Sequence, residues 1–414
     1  MNNKIKTAVA GALLASASVS NAGITWDAGE WTVDMTGYVS AFAIFSDAKD
    51  TTGPKGGLAA TQRSIDADSE SVSISTGVLP DWLGFTATTR QNDIDTSVTI
   101  SFQPDAGGTA ALQGGGNAGN WQAFLTFGDK SWGSVKVGKD MGIFASTAGM
   151  NDMTLLGVGA TGGTVGNGVN RSSEGADTTM GGIGTGYIYA DWKGQIAYTT
   201  PNMNGFLATV GITQPWNAEG DKVTSAASTG GSDNFAYEGQ ASYSWTGDFA
   251  GKAWVGAFYQ DVQNLQGVGI AAGGTDADAQ AFEAGITTTV MNIGLTAYAY
   301  SGEGAGTTGM LTRGFDATGS ARDSEGGYLQ ATYTTPMYTK LGVSYGVSKL
   351  DDNTADAGEN LVKENNRITV GAYQPLTKHL MIVAEFSHVE SESHLSTQSD
   401  SEQDIMSVGG ILFF

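Results

Sequence analysis

Ile405-Met406-Ser407-Val408-Gly409-Gly410-Ile411-Leu412-Phe413-Phe414 ends the sequence on an alternating strand whose last residue is aromatic. The strand that closes a membrane barrel must pair with the first one, and its terminal ring belongs in the aromatic girdle at the membrane interface. The alternation sends Met406, Val408, Gly410, Leu412 and Phe414 toward lipid and Ser407, Gly409 and Ile411 toward a lumen. An edge strand of a soluble sandwich is the competing possibility, and the opposite end of the chain weighs against it.

Residues 1–22 carry Lys4 and Lys6, the apolar run Ala8-Val9-Ala10-Gly11-Ala12-Leu13-Leu14-Ala15, and small residues closing on Ser20-Asn21-Ala22. This is the pattern of an export signal, with cleavage expected between Ala22 and Gly23 and a single barrel domain over 23–414. No later apolar stretch is long enough to cross a bilayer as a helix. An exported protein of this kind is either soluble or a barrel.

The 414 residues include 61 glycines and 9 tryptophans, only 7 prolines and no cysteine, so no disulfide framework is available and stability must come from the sheet. The formal charge is -22, and it becomes two units more negative, -24, when Lys4 and Lys6 leave with the signal. Such acidity disfavours nucleic acid and draws cations to the surface.

Along 23–414, segments of roughly ten residues alternate apolar and polar, and short turns alternate with long Gly/Asp/Thr-rich loops. Leu341-Gly342-Val343-Ser344-Tyr345-Gly346-Val347-Ser348 shows the period clearly. Seven short turns, such as Gln91-Asn92-Asp93 and Met291-Asn292, and eight long loops give about sixteen strands with both termini on the periplasmic side. Ser71 to Leu79 alternates like a strand inside the first loop, and a span there would change the count.

Three segments resemble the general porins of Gram-negative outer membranes. Leu83-Gly84-Phe85 to Asp95 is similar to a hairpin of that family, Phe127 through Lys139 to its fourth turn and fifth strand, and Ile196-Ala197-Tyr198-Thr199-Thr200-Pro201-Asn202-Met203-Asn204-Gly205-Phe206 to its "RYxSPNFxGF" hairpin. The resemblance implies a sixteen-stranded antiparallel transmembrane β-barrel, a homotrimer in outer-membrane lipid and lipopolysaccharide, and a third loop folded into the pore. It makes 141–185 the constriction loop, Asp152 its carboxylate and Lys139 the basic residue of the wall. Alternation from Lys136 puts Lys139 on the opposite face, so that assignment requires a bulge or a strand end. Thr199 and Trp82 stand where enteric members carry wall arginines, and the "PEFGGD" segment of their third loop is absent.

Alternation also turns Glu238, Glu283 and Glu385 inward, opposed in sign by Arg90 and Arg367, with Asp95 and Lys136 on the same face. These are the candidate pore-lining charges, because hydrated ions respond to fixed charges within about a Debye length; the bland alternative is that any watery lumen collects both signs.

Other motifs read as ordinary strand and loop. Gly157-Val158-Gly159-Ala160-Thr161-Gly162 matches G-x-G-x-x-G without the strand and helix that a dinucleotide site needs. Gly342-Val343-Ser344-Tyr345-Gly346 matches a nucleophile elbow, but Ser344 lies mid-strand. His379, His388 and His394 have irregular spacing, and Asp351-Asp352-Asn353 lacks calcium-loop spacing, so no metal, cofactor or catalytic site is expected. The expected function is passive diffusion of ions and small hydrophilic solutes across the outer membrane, with a modest cation preference. A barrel serving adhesion, phage attachment or envelope structure, or a substrate-selective porin with an aromatic slide, are the alternatives.

Overall fold

The computed structural model describes residues 23–49, 53–59, 69–104, 119–162, 178–218, 222–224, 234–267, 275–398 and 400–414. The signal segment with Ala22, and residues 163–177 of the expected constriction loop, lie outside them.

The strands are β1 (Ile24–Ala28), β2 (Trp31–Ala48), β3 (Ser69–Ser75), β4 (Trp82–Gln91), β5 (Ile94–Phe102), β6 (Ala123–Asp129), β7 (Gly133–Met141), β8 (Trp192–Thr199), β9 (Phe206–Thr213) and β10 (Lys222–Thr224). They continue with β11 (Ala236–Trp245), β12 (Gly251–Gly267), β13 (Thr275–Val290), β14 (Ile293–Glu303), β15 (Asp323–Thr334), β16 (Lys340–Leu350), β17 (Val362–Pro375), β18 (Leu380–Ser393) and β19 (Ser401–Phe413). All join one antiparallel sheet, and sixteen of them are the staves of a closed barrel. Closure runs from Gln403↔Ala48 to Phe413↔Tyr38, and Gly37 and Phe414 exchange both backbone hydrogen bonds at 2.9 Å. Closing the sheet leaves no unpaired edge for the bilayer to penalise.

The other three strands extend staves. β1 pairs with the lower end of β2 from Ile24↔Met35, so it begins along β2 just where β19 stops. β10 adds a short pairing to the top of β12. β3 pairs with Phe42–Ala48 of β2, whereas β4 pairs with Thr32–Tyr38 of the same strand. The Ser71–Leu79 segment is thus neither a span nor plain loop: β3 and β4 form one stave, interrupted where residues 76–81 bend into the lumen. There Asp81 accepts hydrogen bonds from Ser40 N at 2.7 Å and Ser40 Oγ at 3.2 Å, and Val78 N donates to Gly157 O at 2.9 Å.

The two faces of β19 differ as the pleat requires. Met406, Val408 and Leu412 are 60%, 50% and 47% exposed, against 2%, 3% and 1% for Ser407, Ile411 and Phe413. Outward aromatics gather near both ends of the staves, with Tyr198, Phe206, Tyr243 and Trp245 toward the short turns and Tyr237, Tyr259 and Phe282 toward the long loops. Two aromatic bands around an apolar belt are what a bilayer selects. Part of the inner face is the wall of a hydrophobic core: Trp254, Phe258, Tyr298, Tyr300 and Tyr328 cluster there with Phe144, Ala145, Ala148 and Tyr187 of the third loop.

Outside the membrane, the long loops lock together. Arg322 donates to both carboxylate oxygens of Asp356 at 2.6 and 2.8 Å, and Asn353 Nδ2 bonds Asp316 at 3.1 Å. Burial works against the Asp356 anion, yet the Arg322 guanidinium and the Asn353 backbone N–H hold its carboxyl below the ordinary range.

Candidate functional site

Between β7 and β8 the third loop enters the barrel and is fastened to the wall by side chains of successive staves. It carries a short helix, α1 (Ser146–Asn151), and a 3-10 turn over Met153–Leu156. Glu238 on β11 accepts from Ile143 N and Phe144 N at 2.7 and 2.9 Å and also pairs with Lys193. Glu283 on β13 accepts from Ala145 N at 3.1 Å, from Tyr298 OH at 2.9 Å and from Gln240 Nε2 at 3.0 Å. Gln330 on β15 accepts from Met153 N at 2.6 Å and donates to Asn151 O at 3.0 Å, while Tyr328 OH donates to Ala148 O at 2.8 Å.

The seam ends at Glu385 on β18, which accepts from Val158 N and Gly159 N at 2.7 and 2.9 Å and from Tyr373 OH at 2.5 Å. Here the G-x-G-x-x-G run finds its use. Backbone amides do cradle an anion, but it is the protein's own carboxylate, and a Cβ on Gly157 would lie 2.0 Å from Glu385 Oε1. The glycines of the G-x-S-x-G run likewise admit the loop: a Cβ on Gly346 would lie 2.0 Å from Thr185 O. Ser344 between them is fully buried in the wall.

The expected pore charges divide accordingly. Glu238, Glu283 and Glu385 point inward but lie beneath the loop as its anchors, so none lines water. Asp152 sits on the inserted loop, where it accepts from Thr154 N at 3.0 Å and Tyr187 OH at 3.0 Å and faces Arg367 at 3.7 Å. Asp152 and Arg367 are 4% and 1% exposed. They latch loop to wall. Lys139 is a correction. Its register partners Ala123 and Gly194 are both exposed, whereas Asp140 beside it is buried, so strict alternation holds and Lys139 points out of the barrel. No bulge intervenes in that pairing. Lys193, one strand over, is the inward lysine at this level.

Lys136 pairs with Asp140 and lies over the Phe124 ring at 5.3 Å. Arg90 and Asp95 meet at 2.7 Å near the short turns, where Arg90 also contacts Asp129 at 2.9 Å and Asp93 at 3.7 Å. They form a half-exposed cluster at the periplasmic rim, away from the inserted loop. His388 lies on the outer face, 2.7 Å from Asp404, and among the described residues no group of side chains is arranged to hold a metal ion.

Across from the loop, the wall is aromatic. Phe413, Tyr38 and Trp82 occupy one register row on β19, β2 and β4, and the series continues through Trp192 to Trp121 with ring centroids 5.8, 6.5, 6.1 and 5.2 Å apart. Trp82, at the place of an enteric wall arginine, is the central ring. The sequence signal for the rest was weak, since tryptophans at strand tops read equally well as membrane girdle. Between this band and the loop lies an open cavity lined by Trp121, Trp192, Met141, Met150, Leu155 and Tyr187 among others.

A closed sixteen-stranded barrel with an apolar exterior and a loop narrowing its lumen defines an outer-membrane channel protein. The sequence matches the Gram-negative porin family over residues 7–394, and the chain belongs to that family. No curated protein matches it. Among solved structures, the outer membrane channel DcaP of Acinetobacter baumannii shares 14% identity at a TM-score of 0.67, covering 95% of this chain and 99% of that one. An anion-selective porin from Comamonas acidovorans shares 15% identity at 0.62, covering 93% and 100%. OmpT of Vibrio cholerae, folded in vitro and in trimer form, shares 14% at 0.54, covering 93% and 100%. Identities this low establish the shared fold. Family and fold place the protein in the outer membrane.

Proposed function

We propose that this porin is a passive, non-enzymatic diffusion channel for ions and small solutes, with a weak cation preference set at its mouths. The observation that carries this reading is the compensated constriction: Asp152 faces Arg367, Glu238 pairs with Lys193, and Lys136 with Asp140. With those charges matched, selectivity falls to the acidic surface, and at the periplasmic rim the three carboxylates Asp93, Asp95 and Asp129 surround Arg90. Lys252 and Lys340, at lumen-facing positions, oppose it. Charges at open mouths are screened, so reversal potentials in potassium chloride gradients should favour cations at about 0.01–0.1 M and lose the preference near 1 M. An anion preference at low salt would mean that the lumenal lysines govern instead.

We also propose a homotrimer whose mature chain begins at Gly23, seated among lipid and lipopolysaccharide. The trimer form of the similar OmpT supports the assembly, and the adjacency of β1 to the end of β19 supports the start. Native mass spectrometry of detergent-solubilised protein should give three copies of residues 23–414, and heating should release a slower-migrating monomer. A monomeric native mass, or one retaining residues 1–22, contradicts the corresponding part.

A further inference from the structure

We infer that the space between the aromatic band and the third loop is a binding site for flat, uncharged aromatic solutes, an inference that rests on the channel function above and names its preferred cargo. The cavity has no charged residue in its described lining; its polar groups are hydroxyls, indole N–H groups and backbone. Trp121 and Trp192, 5.2 Å apart, form one wall, and Met150, Leu155 and Tyr187 of the loop form the other. Ring faces and thioethers recognise flat π-systems through stacking and sulfur contacts. A narrow gap continues past Leu79 and Leu155 along the same band to Tyr38 and Phe413. The apolar slot therefore follows the aromatic row.

The geometry also says what is disfavoured. A sugar entering the slot would leave water without finding a charged or amide side chain to replace it, whereas a ring gives up little hydration and gains contact on two faces. Charged solutes meet a low-dielectric wall, and the buried carboxylates Asp152 and Glu238 are already engaged.

The test uses the purified full chain in a planar bilayer, with caffeine as the flat uncharged probe and glucose as a polyhydroxylated probe of similar mass. Caffeine should block ion current at about a tenfold lower concentration than glucose. Met150→Glu, on a half-buried loop position facing the slot, should still conduct but lose that difference, and Trp121→Ala should weaken it. Equal potency of the two solutes, or caffeine block unchanged in both variants, overturns the proposal. If the protein carried no current, the channel reading would fail separately; quenching of tryptophan fluorescence by caffeine but not glucose in detergent would then sustain the site, and absence of quenching would remove it.

Discussion

Replacing Glu283 and Glu385 together by alanine is expected to raise single-channel conductance about twofold or more, because the two residues hold two points of the loop's entering arm to the wall. Glu283 bonds Ala145 N at 3.1 Å, and Glu385 bonds Val158 N and Gly159 N at 2.7 and 2.9 Å. Hydrogen bonds to a charged group contribute about 1.5–3 kcal/mol each, and their loss leaves loop amides without acceptors in a lumen that can supply water. The favourable outcome for those amides is to move the loop away from the wall, which widens the passage. The backbone ladders between the staves do not run through either carboxylate, so heat resistance of the barrel should persist. Bilayer recordings decide the matter, and conductance equal to the native value would mean that apolar packing of Phe144, Ala148 and Tyr187 alone holds the loop.

Arg367→Ala should be strongly destabilising, by about 3–5 kcal/mol, because it removes the cation that faces the buried Asp152 carboxylate. Arg367 is 1% exposed, lies 3.7 Å from Asp152, and donates to Thr185 Oγ1 at 3.1 Å on the returning arm of the loop. Asp152→Asn keeps most of its local hydrogen bonds and should cost less, without altering ion preference, since its side chain does not meet the passage. The double variant should recover part of the Arg367→Ala loss. Heat- and denaturant-induced release of the monomer across the four proteins gives the coupling. Strict additivity would show that the pair does not act as a latch, and a shifted reversal potential in Asp152→Asn would return that carboxylate to the pore.

The barrel was legible because lipid imposes a simple rule. Every second stave residue must be apolar, so the period in Leu341 to Ser348 and in Ile405 to Phe414 gives the faces directly, and turn chemistry gives the seven short connections. What alternation cannot tell is whether an inward residue meets water or another part of the chain. Glu238, Glu283 and Glu385 have the same parity as Arg90 and Asp95, yet the first three lie under a loop that arrives from far away in sequence and the other two are half in solvent. Tyr298 and Tyr300 read as a polar face for the same reason, although they pack in the core behind the third loop. Lys139 shows the converse: local alternation placed it outward, and the family position that moved it inward lacked the bulge it required. Ser71 to Leu79 escaped both readings, since a stave split into β3 and β4 has strand periodicity without the length to span.

The most direct test of the channel itself is the conductance of the native protein, refolded and inserted into a planar bilayer. A steady ohmic current with discrete steps, at most weakly voltage-dependent, is the expected result. Repeated insertion without any current would contradict the channel and favour a barrel whose long loops serve attachment.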